Sequence, residues 1–135
     1  MTQPKADSPT AGNGSHSLVY VVDDEPMVLE LALVVLGRLN HRIETFRDAE
    51  AALELFQRAK PRPSLVISDY AMHRMNGLGL LEACRRMVPE QRFLLVSGTV
   101  DASVYVDSPW KPDRFLAKPY TPEQLIKVVN SLLDR

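Results

Sequence analysis

Short runs of consecutive apolar residues alternate along this chain with longer segments in which apolar positions recur every three or four residues. The runs predict strands near 18–22, 42–45, 64–68, 92–96 and 113–117. Between the first two, Val28, Leu31, Ala32, Val35, Leu36 and Leu39 form one face of a helix with Pro26 in its first turn. Ala49, Ala52, Leu53 and Phe56 form a second stripe behind Asp48, whose carboxylate suits an N-cap. Leu80, Leu81, Cys84, Met87 and Val88 mark a third, ended by Pro89. Near the C-terminus, Thr121 and Gln124 have capping-box spacing around Pro122, and Leu125, Val128, Val129 and Leu132 follow as the buried face. The segment 100–112, VDASVYVDSPWKP, carries two prolines and several β-branched residues, which leave room only for a short helix near 101–107. Trp110, within that segment, is expected to be exposed.

Repeated rounds of strand then helix predict an α/β fold with a five-stranded parallel sheet covered on both faces, because parallel neighbours need crossover connections. Leu94, Leu95 and Val96 have the unbroken apolar character of a strand buried on both sides. Residues 1–17, MTQPKADSPTAGNGSHS, hold no apolar residue larger than Ala after Met1, and predict a disordered leader before one domain over 18–135. A chain of 135 residues, 45% of them apolar, suits a single core.

Charge and cysteine content narrow the function classes. The net charge of −1 and the lack of a long basic run argue against a direct nucleic-acid partner or an anionic membrane surface. The longest apolar stretch, residues 31–36, is far short of the roughly 18 residues of a membrane span, and no secretion signal opens the chain. The single cysteine, Cys84, cannot form an internal disulfide, which suits a reducing, cytoplasmic setting. Its place on the third stripe predicts core packing.

In a parallel sheet the C-terminal strand ends share one edge, where ligands of open α/β folds bind. Asp23 and Asp24 follow VYVV, Asp69 follows LVIS, Ser97 and Gly98 follow FLLV, and Lys118 and Pro119 follow RFLA. Taken singly, each is an ordinary way to end a strand. Taken together, they bring carboxylates onto one rim, where each pair about 4 Å apart repels by about 4 kcal/mol at an effective dielectric near 20. A divalent cation and Lys118 are the available counter-charges. An all-oxygen carboxylate set without His or Cys suits Mg²⁺ or Mn²⁺, which fills its remaining positions with phosphate and water. A phosphoryl group is then the expected ligand, with Lys118 neutralising one oxygen and the Ser97 hydroxyl bonding another. Asp69 is the expected nucleophile, ending the third run with a metal pair available from the first.

These residues, VVDDEP, ISDYAM with Asn76-Gly77, Ser97-Gly98, Phe115 three positions before Lys118, and Lys118-Pro119, resemble the receiver domain of bacterial two-component response regulators over about residues 18–133. The resemblance implies a flavodoxin-like sheet of order 2-1-3-4-5 and a phosphoryl group taken by Asp69 from a sensor kinase phosphohistidine. It also implies direct metal ligation by Asp24, Asp69 and the backbone carbonyl of Ala71, with Asp23 acting mainly through water. Lys118 would pair with the phosphoryl group, Ser97 would be the switch hydroxyl, Phe115 the aromatic that rotates with it, and Lys118-Pro119 a cis peptide. His73 stands where the family often has Pro, while Ala71 and Thr99 occupy positions that modulate attack by water.

The implied partners are a sensor histidine kinase or phosphotransfer protein and a downstream protein, with a homodimer left open. The activity would be the domain's own phosphorylation and dephosphorylation rather than turnover of a substrate. Two other settings remain on the residues alone: a receiver within a hybrid sensor kinase, which LAKPYTPEQL resembles, and a pseudo-receiver that binds proteins without phosphorylation. A phosphatase of the haloacid-dehalogenase type expects a second Asp where Ala71 stands. His16, His41 and His73 lack ligand spacing and are expected at the surface or in loops, whereas Met72 and Met75 are expected to pack. Trp110 is a candidate partner anchor, with a loop tryptophan packed on its own domain as the favoured alternative.

Overall fold

A computed structural model describes residues 17–98 and 102–134. The leader expected over 1–17 falls outside it but for Ser17, as does Thr99. Five strands, β1 (Leu18–Val22), β2 (Arg42–Phe46), β3 (Leu65–Asp69), β4 (Arg92–Ser97) and β5 (Arg114–Ala117), form one sheet of order β2-β1-β3-β4-β5. Every pairing is parallel, with Val21 opposite Thr45 and Ile67, and Asp69 opposite Val96. β3, the middle strand, is buried along its whole length, as its apolar run requires.

Four α-helices cover the sheet: α1 (Pro26–Gly37), α2 (Ala49–Arg58), α3 (Gly77–Met87) and α4 (Pro122–Leu133). Val19, Val21, Leu65 and Ile67 face α1 and α4, packing on Ala32, Leu36, Leu125 and Val129. The alternate positions Tyr20, Val22 and Val66 face α2 and α3, against Phe56, Leu80, Leu81 and Cys84. Local chemistry sets the helix starts. The Asp48 carboxylate accepts from the Ala51 N–H at 2.8 Å, and the Asn76 amide oxygen accepts from the Gly79 N–H at 2.9 Å. Thr121 and Gln124 close the expected reciprocal box at 3.1 and 2.8 Å.

Two expectations need correction, and a third holds in shorter form. In α1 the buried residues are Leu29, Ala32, Val35 and Leu36, while Leu31 is 53% exposed. This helix is apolar nearly all round, so periodicity does not select a face, and packing against β1 and α4 does. The segment expected as a short helix near 101–107 is described only from Ala102, as a single 3-10 turn, Ala102–Tyr105, so the crossover from β4 to β5 has no α-helix among the described residues. Trp110 is half-buried rather than exposed. It packs on the α2–α3 side of the core with the Arg86 guanidinium 5.4 Å above its ring, while Arg85 holds the same segment through the Lys111 carbonyl and the Asp113 carboxylate.

Candidate functional site

The residue after β1, Asp23, is 3% exposed and has both carboxylate oxygens engaged. Oδ1 accepts from the Glu25 N–H at 2.9 Å, bending the chain toward α1, and Oδ2 accepts from Lys118 Nζ at 2.9 Å. Asp69, the last residue of β3, places Oδ1 3.5 Å from the same ammonium. Asp24 completes the cluster: one carboxylate oxygen from each of Asp23, Asp24 and Asp69 lies within 4.8 Å of the others. The strand-end prediction thus brings residues 23, 24, 69 and 118 together. One ammonium cannot neutralise three carboxylates at these separations.

The imbalance shows in the titration of the groups. Burial, then the charge of Asp23, push the Asp69 carboxyl up to about 6, with Asp24 adding to the rise and Lys118 opposing it. Burial pulls Lys118 down, but the hydrogen bond and charge of Asp23, helped by Asp69, outweigh it and hold the ammonium above its ordinary value. An electron-rich, all-oxygen, largely dehydrated cluster of this kind fits a hard divalent cation. Lys118 leans toward Asp23, leaving Asp24 and the outer side of Asp69 as the less committed oxygen donors.

Of the remaining expected residues, Ser97 is tied directly to the cluster through Lys118. Ser97 ends β4 at 1% exposure, and its carbonyl accepts from the Lys118 N–H at 2.8 Å, tying the two strand ends together. Phe115 is half-buried on β5, its ring 6.2 Å from that of Tyr105. Ala71 is exposed two residues beyond β3, and Lys118-Pro119 is cis, as is Lys60-Pro61. Gly77 is required at the start of α3: a Cβ there would lie 2.6 Å from both the Asp69 carbonyl oxygen and Leu95 Cδ1. Cys84 is 1% exposed, and burial pushes its thiol up to about 12, so it packs rather than reacts. Met72 and Met75 are half-buried against the same core, His41 is half-buried and His73 exposed, while His16 lies outside the described residues.

One neighbouring feature escaped the sequence reading. A cavity of about 450 Å³ is lined by Asp24, Arg47, Asp48, His73 and Arg74. Arg47 and Asp48 directly follow β2, so the strand-end rule that locates the other candidate residues points to them as well.

The family described as "Response regulator receiver domain" matches residues 19–130, spanning both acid-bearing strand ends and Lys118. The chain belongs to this family. Among curated relatives of this receiver domain, the nitrogen assimilation regulatory protein NtrX of Azorhizobium caulinodans is 29% identical over 86% of the chain and 26% of its own length. The sensor kinase CckA of Brucella abortus is 27% identical over 98% of the chain and 14% of its own length. The receiver domain therefore spans only about a quarter and a seventh of those two relatives. Among solved structures, a protein from Neptuniibacter caesariensis is 34% identical with a TM-score of 0.79, covering 87% of each chain. The chemotaxis protein CheY4 of Vibrio cholerae, 24% identical with a TM-score of 0.77 over 87% of this chain and 98% of its own, shares the fold.

Proposed function

We propose that this receiver domain accepts a phosphoryl group on Asp69 from a partner phosphohistidine, with a divalent cation, Mg²⁺ or Mn²⁺, held by Asp23, Asp24, Asp69 and the Ala71 carbonyl. The observation that carries the reading is the convergence of three carboxylates, their oxygens within 4.8 Å of one another, with the half-buried Lys118 ammonium set against two of them. An Asp69 oxygen attacks phosphorus, the N–P bond of the donor breaks, and its electron pair returns to the imidazole. When bound, the cation supplies positive charge to the phosphoryl oxygens and offsets the repulsion among the acids. Lys118 has its ammonium between Asp23 and Asp69 and takes a phosphoryl oxygen as hydrogen-bond acceptor in place of Asp69. Asp23, bonded to the Glu25 N–H and to Lys118, orients that ammonium.

The added charge on Asp69 is then sensed by Ser97 and Phe115 and passed to the segment between β4 and β5, which changes what the domain binds. The product is a signalling state rather than a released compound, and the same reading puts the domain in the cytoplasm with a histidine kinase or phosphotransfer protein upstream. Among the described residues no helix is long and apolar enough to cross a membrane. The 98% coverage against a sensor kinase supports a hybrid-kinase setting as the second reading of context. Incubation with a small phosphodonor and Mg²⁺ is expected to add one phosphoryl group by intact mass, lost with EDTA and in Asp69→Asn. A parent protein that stays unmodified, while calorimetry shows no cation binding, overturns the proposal and favours a protein-binding pseudo-receiver.

A further inference from the structure

The cavity beside the acid cluster has Asp24 in its wall, so it opens directly on the site. Its other lining residues come from the ends of β2 and β3: Arg47 and Asp48 after β2, His73 and Arg74 after β3. Sheet order puts β2 and β5 at opposite edges, with the acid-bearing β1 and β3 between them. Lys118 therefore serves the carboxylates from one flank, and the cavity provides a second source of positive charge on the other.

Neither arginine side chain is hydrogen-bonded to a described residue. Arg47 makes no hydrogen bond or ion pair with a described residue. Arg74 forms an exposed ion pair with Glu50, Nε to Oε1 3.7 Å, too long for a hydrogen bond, so its planar fork of donors can still turn to a ligand. The one acid of the cavity outside the cluster, Asp48, has Oδ1 committed to the Ala51 N–H. A guanidinium fork matches a carboxylate in a bidentate pair.

We propose that Arg47 and Arg74 form a leaving-group subsite for small acyl phosphates, whose departing group is a carboxylate. This rests on the phosphoacceptor reading of Asp69. In the step, an Asp69 oxygen forms a bond to phosphorus, the bridging O–P bond of the acyl phosphate breaks, and the electron pair stays on the departing carboxylate without a proton transfer. Negative charge grows on the leaving oxygen as the bond breaks, so donors waiting beside it stabilise the transition state more than the ground state. Phosphoramidate, by contrast, releases an amine that carries no negative charge, and gains nothing from the two arginines.

The test measures the Mg²⁺-dependent rate of Asp69 phosphorylation with acetyl phosphate and with phosphoramidate, in the full chain, and takes their ratio. Arg47→Ala and Arg74→Ala are each expected to lower that ratio several-fold, and the double variant by about tenfold or more, the worth of one or two charge-assisted hydrogen bonds. Arg47→Lys, which keeps the charge and loses the fork, should recover part of the loss. A ratio unchanged in the double variant overturns the subsite, including the case in which both rates fall equally. So does a parent protein that reacts with phosphoramidate and refuses acetyl phosphate. A parent inert to both donors instead removes the phosphoacceptor reading, and the subsite with it.

Discussion

Replacing Asp69 with Asn should stabilise the protein in the absence of divalent cations. In the folded chain the Asp69 carboxyl sits at about 6, against 3.8 when unperturbed. A difference of that size corresponds to about 3 kcal/mol lost on ionising the group in its folded surroundings. At 9% exposure little of this is screened by solvent. Because the folded value is raised, the folded state binds more protons than the unfolded chain between the two values. Stability from this group therefore falls as pH rises from about 4 to about 6. The penalty is complete above about pH 7, about half as large at pH 5, and absent below the unfolded value. Asparagine still has an amide to desolvate, so the expected gain at pH 8 is about 1–3 kcal/mol, or roughly 4 °C in Tm per kcal/mol for a domain of this size. Urea unfolding in EDTA at pH 8 and pH 5 reads it directly. Mg²⁺ should raise the parent's stability more than the variant's. An Asp69→Asn protein no more stable than its parent at pH 8, or one whose advantage grows toward acid, refutes the claim that uncompensated carboxylates strain this site.

Gly77→Ala places a methyl 2.6 Å from the Asp69 carbonyl oxygen and from Leu95 Cδ1, so chemical denaturation should show a loss of about 2–3 kcal/mol, with slower phosphorylation because Asp69 is displaced. Tyr20→Phe removes a buried hydroxyl that has no hydrogen-bond partner among the described residues, and is expected to leave stability unchanged or raise it by up to about 1 kcal/mol; a loss above that size would mean the hydroxyl is satisfied. Trp110 is the one tryptophan of the chain, so Arg86→Ala, which takes the guanidinium from 5.4 Å above its ring, should shift the protein's Trp emission to the red as the ring gains water. Identical emission in the two proteins would show that the contact does not shield the ring.

The parts of this fold that can be read in the sequence are those where a single physical requirement decides. Strand β3 must be largely apolar on both faces, and its first three residues, Leu65, Val66 and Ile67, are; the helix starts need a side-chain acceptor, and Asp48, Asn76 and Thr121 supply it. The site was legible for a related reason: parallel strands deliver their ends to one edge, so acids and amine 95 positions apart could be paired without coordinates. What could not be read depends on competition between equal choices. Leu29 and Leu31 are alike in hydropathy, and only the placement of α4 and β1 buries the first and exposes the second. The packing of Trp110 in its loop agrees with the favoured reading, but its expected exposure does not, because its partner, Arg86, lies on α3 and no local pattern links the two. Strand order came from resemblance alone, since the alternation of elements fits more than one arrangement.

The ammonium of Lys118 arrives last along the chain and from the edge strand β5. A polypeptide ending before residue 118 already carries every carboxylate of the cluster, yet lacks the ammonium that bonds Asp23 and faces Asp69, so those acids lose their nearest counter-charge. On the proposed reading, phosphoryl acceptance therefore awaits a finished sheet, because the last strand to be made carries the one lysine that serves the phosphoryl group.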